Sequence, residues 1–131
     1  MSAEENKRLL EAALLPLAVR DARAFRDVLA DDVVWTVQGT TRWSGTYRGK
    51  EALFRDLFRP FHALLEQPYQ MLTRRIVAED DLVVLELAGV NVTRAGVPYE
   101  NQFCYVCRLR DGKICEVTEY LDTALVAAIA P

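Results

Sequence analysis

The chain has a single histidine, His62, and no marked excess of charge of either sign. Its 16 Lys and Arg stand against 19 Asp and Glu, for a net charge of −3. A mixed, mildly acidic chain of this kind is not a default binder of polyanions, so no nucleic-acid partner is expected. Nowhere do about 18 apolar residues follow one another, so no membrane-spanning helix and no membrane partner are expected. The opening residues Met1-Ser2-Ala3-Glu4-Glu5-Asn6 lack the basic start and apolar stretch of a signal peptide. Cysteine is scarce and odd in number: Cys104, Cys107 and Cys115. With no export signal, they read as reduced thiols of a cytoplasmic protein. Cys104 and Cys107 have the spacing of a metal or redox pair. They lie in an alternating apolar run, however, where a three-residue separation sends them to opposite faces. A zinc site takes about four ligands, and only Cys115 and the distant His62 remain to complete one. No metal and no cofactor are therefore expected.

There are no repeats, low-complexity segments or linkers. The 131 residues, 51% of them hydrophobic, suffice for one domain with its own core. Ser2 with Glu5 three residues on is a capping-box pattern, and Leu9, Leu10, Ala13, Leu14 and Leu17 follow at helical spacing. Pro16 interrupts this helix. A second short helix is expected from Asp21 through Leu29, then a strand at Val33–Val37. Residues 38–49 read as a loop with Gly39, Ser44, Gly45 and Gly49 as turn residues and with two large aromatics, Trp43 and Tyr47. A third helix is expected over about 50–66. Leu53, Phe54, Leu57, Phe58, Phe61, Leu64 and Leu65 form its apolar face, Pro60 bends it, and His62 falls off the stripe toward solvent. Strands are expected at about 69–78, 82–94, 98–110 and 113–122, with a hairpin at Asp111-Gly112. Residues 123–131 read as a short helical tail. Helices first and a long meander after them argue an α+β fold: a curved antiparallel sheet wrapped around three helices of the N-terminal half. Such a cone leaves an opening at one end, an ordinary place for a small-molecule site.

Alternation sorts each strand into two faces. Trp35 and Val37 share one, as do Tyr99, Asn101, Phe103, Tyr105 and Cys107. Cys115, Val117, Glu119 and Leu121 share another. On the strand between, Leu82, Val84, Glu86, Ala88, Val90 and Val92 go together. If these sets face the cone, its interior is apolar apart from Glu86, Asn101, Tyr105 and Glu119. Two carboxylates in an apolar cavity are costly unless paired or protonated, so at least one is expected to titrate high. That is an arrangement suited to general acid and base chemistry. The same residues also suit a structural network in which Asn101 and Tyr105 satisfy the carboxylates.

Three stretches carry a family resemblance. They are Ala30-Asp31-Asp32-Val33-Val34-Trp35, then Ser44-Gly45-Thr46-Tyr47-Arg48-Gly49-Lys50-Glu51-Ala52, then Asp111-Gly112-Lys113-Ile114 with Glu119-Tyr120-Leu121-Asp122-Thr123. The chain resembles the SnoaL-like group of the nuclear-transport-factor-2-like superfamily. That superfamily includes ketosteroid isomerase, polyketide cyclases, scytalone dehydratase and limonene-epoxide hydrolase. The resemblance implies a cystatin-like α+β cone, a deep pocket and a homodimer formed through the outer sheet face. Ile114, Tyr120, Cys104 and Val106 are expected to point outward there. The isomerase's general-base position falls at Val37, its first-helix tyrosine near Ala13, and its partner acid at Tyr105. The epoxide hydrolase's water-holding pair falls at Trp35 and Val37. Its arginine has no counterpart within the strand expected at 82–94, where Arg94 stands only at the end. The dehydratase's pocket histidines have no match beyond His62. The cyclases' last-strand acid falls close to Glu119.

The expected activity is a cofactor-independent cyclase or isomerase working next to a carbonyl on a small hydrophobic molecule. Glu119 and Glu86 would share the proton, and Tyr105 and Asn101 would orient the substrate or stabilise an enolate. Trp35, Val37, Trp43, Phe61, Phe103, Val117 and Leu121 would shape the pocket. The alternatives are a non-catalytic binding protein for a small hydrophobic ligand and a dimeric interaction module.

Overall fold

The computed structural model of the chain describes residues 1–130. The expected end of the helical tail at Pro131 lies outside them. Helix α1 (Ala3–Leu14) opens on the capping box: Ser2 Oγ accepts the Glu5 N–H at 3.1 Å and Glu5 Oε1 accepts the Ser2 N–H at 3.1 Å. A 3-10 turn over Leu15–Val19 begins where Pro16 enters, since a proline at a helix start needs no N–H. Helix α2 (Arg23–Asp27) leads into strand β1 (Leu29–Val37), longer than the five-residue strand the sequence suggested. The stretch read as a plain loop contains a further strand, β2 (Gly45–Arg48), antiparallel to β1.

Next comes a continuous rod with a π turn in its middle: α3 (Lys50–Leu53), the π turn (Phe54–Phe58) and α4 (Arg59–His62). The Arg59 N–H reaches back five residues to the Phe54 carbonyl, as a π turn requires. Pro60 follows at once and has no N–H to give the ordinary bond. The extra residue rotates everything after it by about 100°, one residue's step on an α-helix. The helix stops at His62, four residues short of the expected end.

The remaining chain forms β3 (Met71–Glu79), β4 (Leu82–Gly89), the two short strands β5 (Asn91–Val92) and β6 (Pro98–Tyr99), β7 (Gln102–Arg110), β8 (Lys113–Leu121) and α5 (Thr123–Ile129). The expected strands 82–94 and 98–110 are thus each broken. The β7–β8 hairpin turns at Asp111 and Gly112, both with positive φ (52° and 76°), as its two-residue loop requires. The six-stranded sheet runs β2-β1-β8-β7-β4-β3. Every neighbouring pair is antiparallel except β1 and β8, which run parallel, so the curved sheet is mixed. Helix α1 packs on β3 and β4, and α3 packs on β1. Among the described residues no helix is long and apolar enough to cross a membrane.

Two registers decide which faces look inward. β4 pairs with β7 so that Leu85 lies opposite Tyr105 and Glu86 opposite Cys104. The inner face of β4 is therefore Val83, Leu85 and Leu87, all buried. In β8, Arg108 opposes Glu116 while Leu109 opposes Ile114, so Cys115 is the extra residue of a bulge. The bulge buries both Ile114 and Cys115. Ile114 is therefore a core residue and not part of the outer face. Cys104 and Cys107 point to opposite faces, Cys107 inward and fully buried.

Asn101 fastens the start of β7 to the end of β8. It is fully buried, and its amide Nδ2 donates to the Tyr99 hydroxyl (2.9 Å) and the Asp122 carbonyl (3.0 Å). Its Oδ1 accepts from the Gln102 and Asp122 backbone N–H groups (2.7 and 3.0 Å). Removing the amide leaves buried backbone groups unpaired, at about 1–3 kcal/mol each. Asn101→Ala is expected to lower the unfolding free energy by about 2–3 kcal/mol, measured by urea titration.

Candidate functional site

The inner face of the sheet is laid out in rows. One row is Val37, Glu119, Tyr105 and Leu85, and the row beneath is Trp35, Val117, Cys107 and Val83. Glu119 and Tyr105 are directly opposed neighbours, which places their Cβ atoms about 4.5–5.5 Å apart. Trp35 sits diagonally below Glu119 and is completely buried. Its indole Nε1–H donates to Glu119 Oε1 at 2.8 Å. Three rings meet Trp35 edge-on: Phe25 from α2, Phe58 from the π turn and Tyr105 from β7, at centroid distances of 6.3, 5.2 and 5.2 Å. Such pairs contribute about 0.5–1.5 kcal/mol each beyond their buried area.

Above this floor lies a cavity of about 70 Å³ that opens at its mouth. Trp35, Val37, Phe103, Tyr105, Glu119 and Leu121 line it from the sheet. Leu57, Phe58, Phe61, His62 and Leu65 line it from the helical rod and the turn after it. Thr41 and Trp43 come from the β1–β2 connection, and Val126 of α5 helps close it. Tyr69, Met71, Asn91 and Tyr99 complete the wall, with Phe25 at the bottom.

Glu119 is the cavity's one carboxylate. Burial raises its pKa from an ordinary 4.5 to about 7, against the opposing pull of the Trp35 hydrogen bond. Near neutral pH it is therefore present in both forms. Tyr105 is pushed well above the usual phenol range, first by burial and then by Glu119 beside it, and stays protonated. Burial likewise raises Tyr69 and Tyr99. His62 stacks on Tyr69 at 4.2 Å and on Phe58 at 5.5 Å. Burial among these rings, helped by the Arg26 charge, lowers its pKa to about 4. Its imidazole is neutral at pH 7 and offers one donor and one acceptor.

The structure places Glu119, Tyr105, Trp35, Val37, Trp43, Phe61, Phe103 and Leu121 in the cavity wall. It separates four other residues from the roles read for them. Glu86 lies on the outer face of β4, where it is ion-paired with Arg75 of β3. The expected proton-sharing pair of carboxylates is therefore absent. β4 reads Leu-Val-Val-Leu-Glu-Leu-Ala, apolar on both faces, so alternation gave no sign of which face was inner; the register with β7 decides it. Asn101 is adjacent to the cavity, but its amide is spent on Tyr99, Gln102 and Asp122. Val117 is buried in the row beneath Glu119 and does not line the cavity. His62, read as solvent-facing, lines it. The π turn supplies the missing rotation. Pro60 was the one local sign of an irregular helix. Tyr99 fell in the inward set read for its strand, whereas Tyr69 carried no sign beyond its size.

A buried carboxyl with a raised pKa makes the fold more stable in acid. Its contribution is fully present below about pH 4.5 and is lost as pH rises through about 7. His62 acts in the opposite sense, its contribution being lost as pH falls from 6.5 through about 4. Comparison with Glu119→Gln isolates the carboxyl. The stability difference is expected to shift in favour of the Gln variant by about 2–3 kcal/mol between pH 4.5 and pH 7.5, measured by urea unfolding at each pH. Trp35→Phe removes the only donor to Oε1, and carbon-detected NMR is expected to show Glu119 titrating higher still.

The fold has many solved relatives. An NTF2-like protein from Burkholderia thailandensis E264 superposes with a TM-score of 0.79 at 22% identity, over 95% of each chain. TerC, crystallised with polyporic acid, gives a TM-score of 0.78 at 19% identity, over 95% of this chain and 96% of its own. Bal32a, from a soil-derived mobile gene cassette, gives 0.78 at 19% identity, over 96% and 95%. At such identities the likeness is one of fold. No curated protein matches in sequence. The profile of the SnoaL-like domain matches residues 10–117, from within α1 to the row of Trp35 and Val117. The chain therefore belongs to the SnoaL-like domain family, with the α+β cone of the NTF2-like proteins.

Proposed function

We propose that the protein is a cofactor-independent enzyme that moves a proton next to a carbonyl of a small, mainly apolar molecule. The observation that carries this reading is a single buried carboxyl, Glu119, with a pKa of about 7. A base poised near the working pH combines a useful ionised fraction with enough basicity. Trp35 holds Oε1, which leaves Oε2 to take the proton. As the C–H bond breaks, its electron pair moves into the C–C–O system and charge builds on the carbonyl oxygen. The Tyr105 phenol, protonated and opposite Glu119, donates a hydrogen bond to that oxygen. The same carboxyl then returns its proton to another carbon, giving an isomer, or the enolate carbon bonds to a second carbonyl carbon and the oxygen there takes that proton, giving a hydroxylated ring. A positioned base contributes about 10²–10⁴-fold and an oxyanion donor about 10²–10³-fold. The likeness to a protein crystallised with polyporic acid supports a ligand that is itself cyclic and oxygenated.

The test is α-proton exchange of 1-tetralone and 1,3-cyclohexanedione in D₂O, followed by NMR. The wild type is expected to accelerate exchange, rising with pH to a plateau above about 7 because the carboxylate is the active form. Glu119→Gln is expected to be slower by about 100-fold or more. Exchange in the variant equal to the wild type would remove Glu119 from the chemistry. One observation favours a second reading, a binding protein: Glu119 has no partner carboxylate. Ketones that bind the wild type but exchange at the buffer rate would decide for it.

A second copy of the chain against the outer sheet face belongs to the same proposal. Tyr120 and Val77 are about half exposed there (48% and 53%), beside the half-buried Val84, Cys104 and Val106. Light scattering is expected to give twice the chain mass, and Tyr120→Glu to shift it toward the monomer.

A further inference from the structure

The chain has two tryptophans, both lining the cavity, and their indole N–H groups have different fates. That of Trp35 is taken by Glu119. That of Trp43 is buried without a hydrogen-bond partner among the described residues. Trp43 is only 7% exposed, and nothing else about it is loose. Its backbone N–H donates to Thr41 Oγ1 at 3.2 Å, and its carbonyl accepts the Tyr47 hydroxyl at 2.6 Å. The Arg42 guanidinium lies 4.8 Å from the centre of its ring. Phe61 meets the ring edge-on at 5.3 Å, with an interplanar angle of 84°. The ring is pinned by its neighbours while its one side-chain donor is left over. Buried donors are nearly always paired, and a tryptophan is placed in a wall at a cost when its N–H has nothing to bond.

This donor belongs to a residue of the cavity wall, though the nitrogen itself is covered in the free protein. Glu119 and Tyr105 project from the middle of the sheet. Trp43 stands on the β1–β2 connection and continues through Phe61 into the aromatic wall of the helical rod, where His62 and Tyr69 follow. The rest of the lining is mainly apolar, with Val37, Phe103, Leu121 and Phe58 among it. We propose that the Trp43 indole N–H is a recognition donor for an oxygen acceptor of the ligand, carried in addition to the carbonyl received at Tyr105 and Glu119. The ligand class is then a compact apolar ring system with two separated oxygen acceptors. This deepens the reading of the site given above and rests on it for the first carbonyl. Trp43 would be a specificity-determining residue: a molecule without the second oxygen leaves the donor unpaired, and such a site discriminates against it.

The experiment uses two probes that cannot enolise, so its outcome is independent of proton transfer at Glu119. They are 2,2-dimethylindane-1,3-dione, with two carbonyls, and 2,2-dimethylindan-1-one, with one. The wild type is expected to bind the dione about tenfold more tightly, and Trp43→Phe to reduce that ratio to about one, by calorimetry. The free Trp43→Phe variant is expected to stay folded at a urea midpoint somewhat below the wild type, since the smaller ring leaves a gap in the wall. The indole N–H resonances of ¹⁵N-labelled protein, assigned with the same variant, give a second readout that the free protein already supplies. The Trp43 proton is expected upfield of the hydrogen-bonded Trp35 proton, and it should move downfield when the dione is added. Equal affinity of the wild type for the two probes would overturn the proposal. So would binding of neither probe, or a Trp43 proton already as far downfield as that of Trp35 in the free protein.

Discussion

The hydrogen bond from Trp35 to Glu119 ties the core to the cavity. The indole is the centre of the cone, with rings from α2, the π turn and β7 packed against its faces and edges. The same side chain supplies the N–H that allows a carboxyl to sit where water does not compete for it. An isolated carboxylate in so apolar a place would be protonated throughout the physiological range. One donor, partly offsetting burial, brings Glu119 to about 7. The pairing depends on the parallel register of β1 and β8, which sets Trp35 one row below Glu119.

A second constraint comes from the helical rod. The π turn at Phe54–Phe58 turns Phe58 onto Trp35 and His62 into the cavity. A straight α-helix would carry His62 about 100° away, toward solvent. The cost of poorer hydrogen-bond geometry in the π turn is met by burial of aromatic surface. Such turns recur at functional sites for this reason: they re-aim a side chain without changing the length of the helix. Here the result is a wall of stacked rings, His62 among them, facing the polar strip of Glu119 and Tyr105.

The polar groups of the interior fall into two kinds. Asn101 is saturated by four bonds and holds two strands and the start of α5 in place. Glu119 Oε2, the Tyr105 phenol and the Trp43 indole N–H make no hydrogen bond among the described residues. Burial alone does not separate these kinds, since Asn101 is the most deeply buried of them. The number of partners each already has does so.

The helices at the N-terminal end, the meander after them, and the inward sets on β1, β7 and β8 were legible in the residues themselves. Period and turn chemistry are local properties, and Val33-Val34-Trp35-Thr36-Val37 or Asp111-Gly112 state them within a few positions. Glu119 could be placed in the interior because its strand alternates apolar with polar. Glu86 could not be placed, because β4 is apolar on both faces and only its pairing with β7 selects one. Ile114 was lost to a one-residue bulge and His62 to a π turn, both single-residue changes of phase. Local pattern thus determined which elements exist and which residues within a strand share a face. Which face looks inward, which carboxylate is buried and which donor is left unpaired were decided by register and packing between distant segments, which no local period encodes.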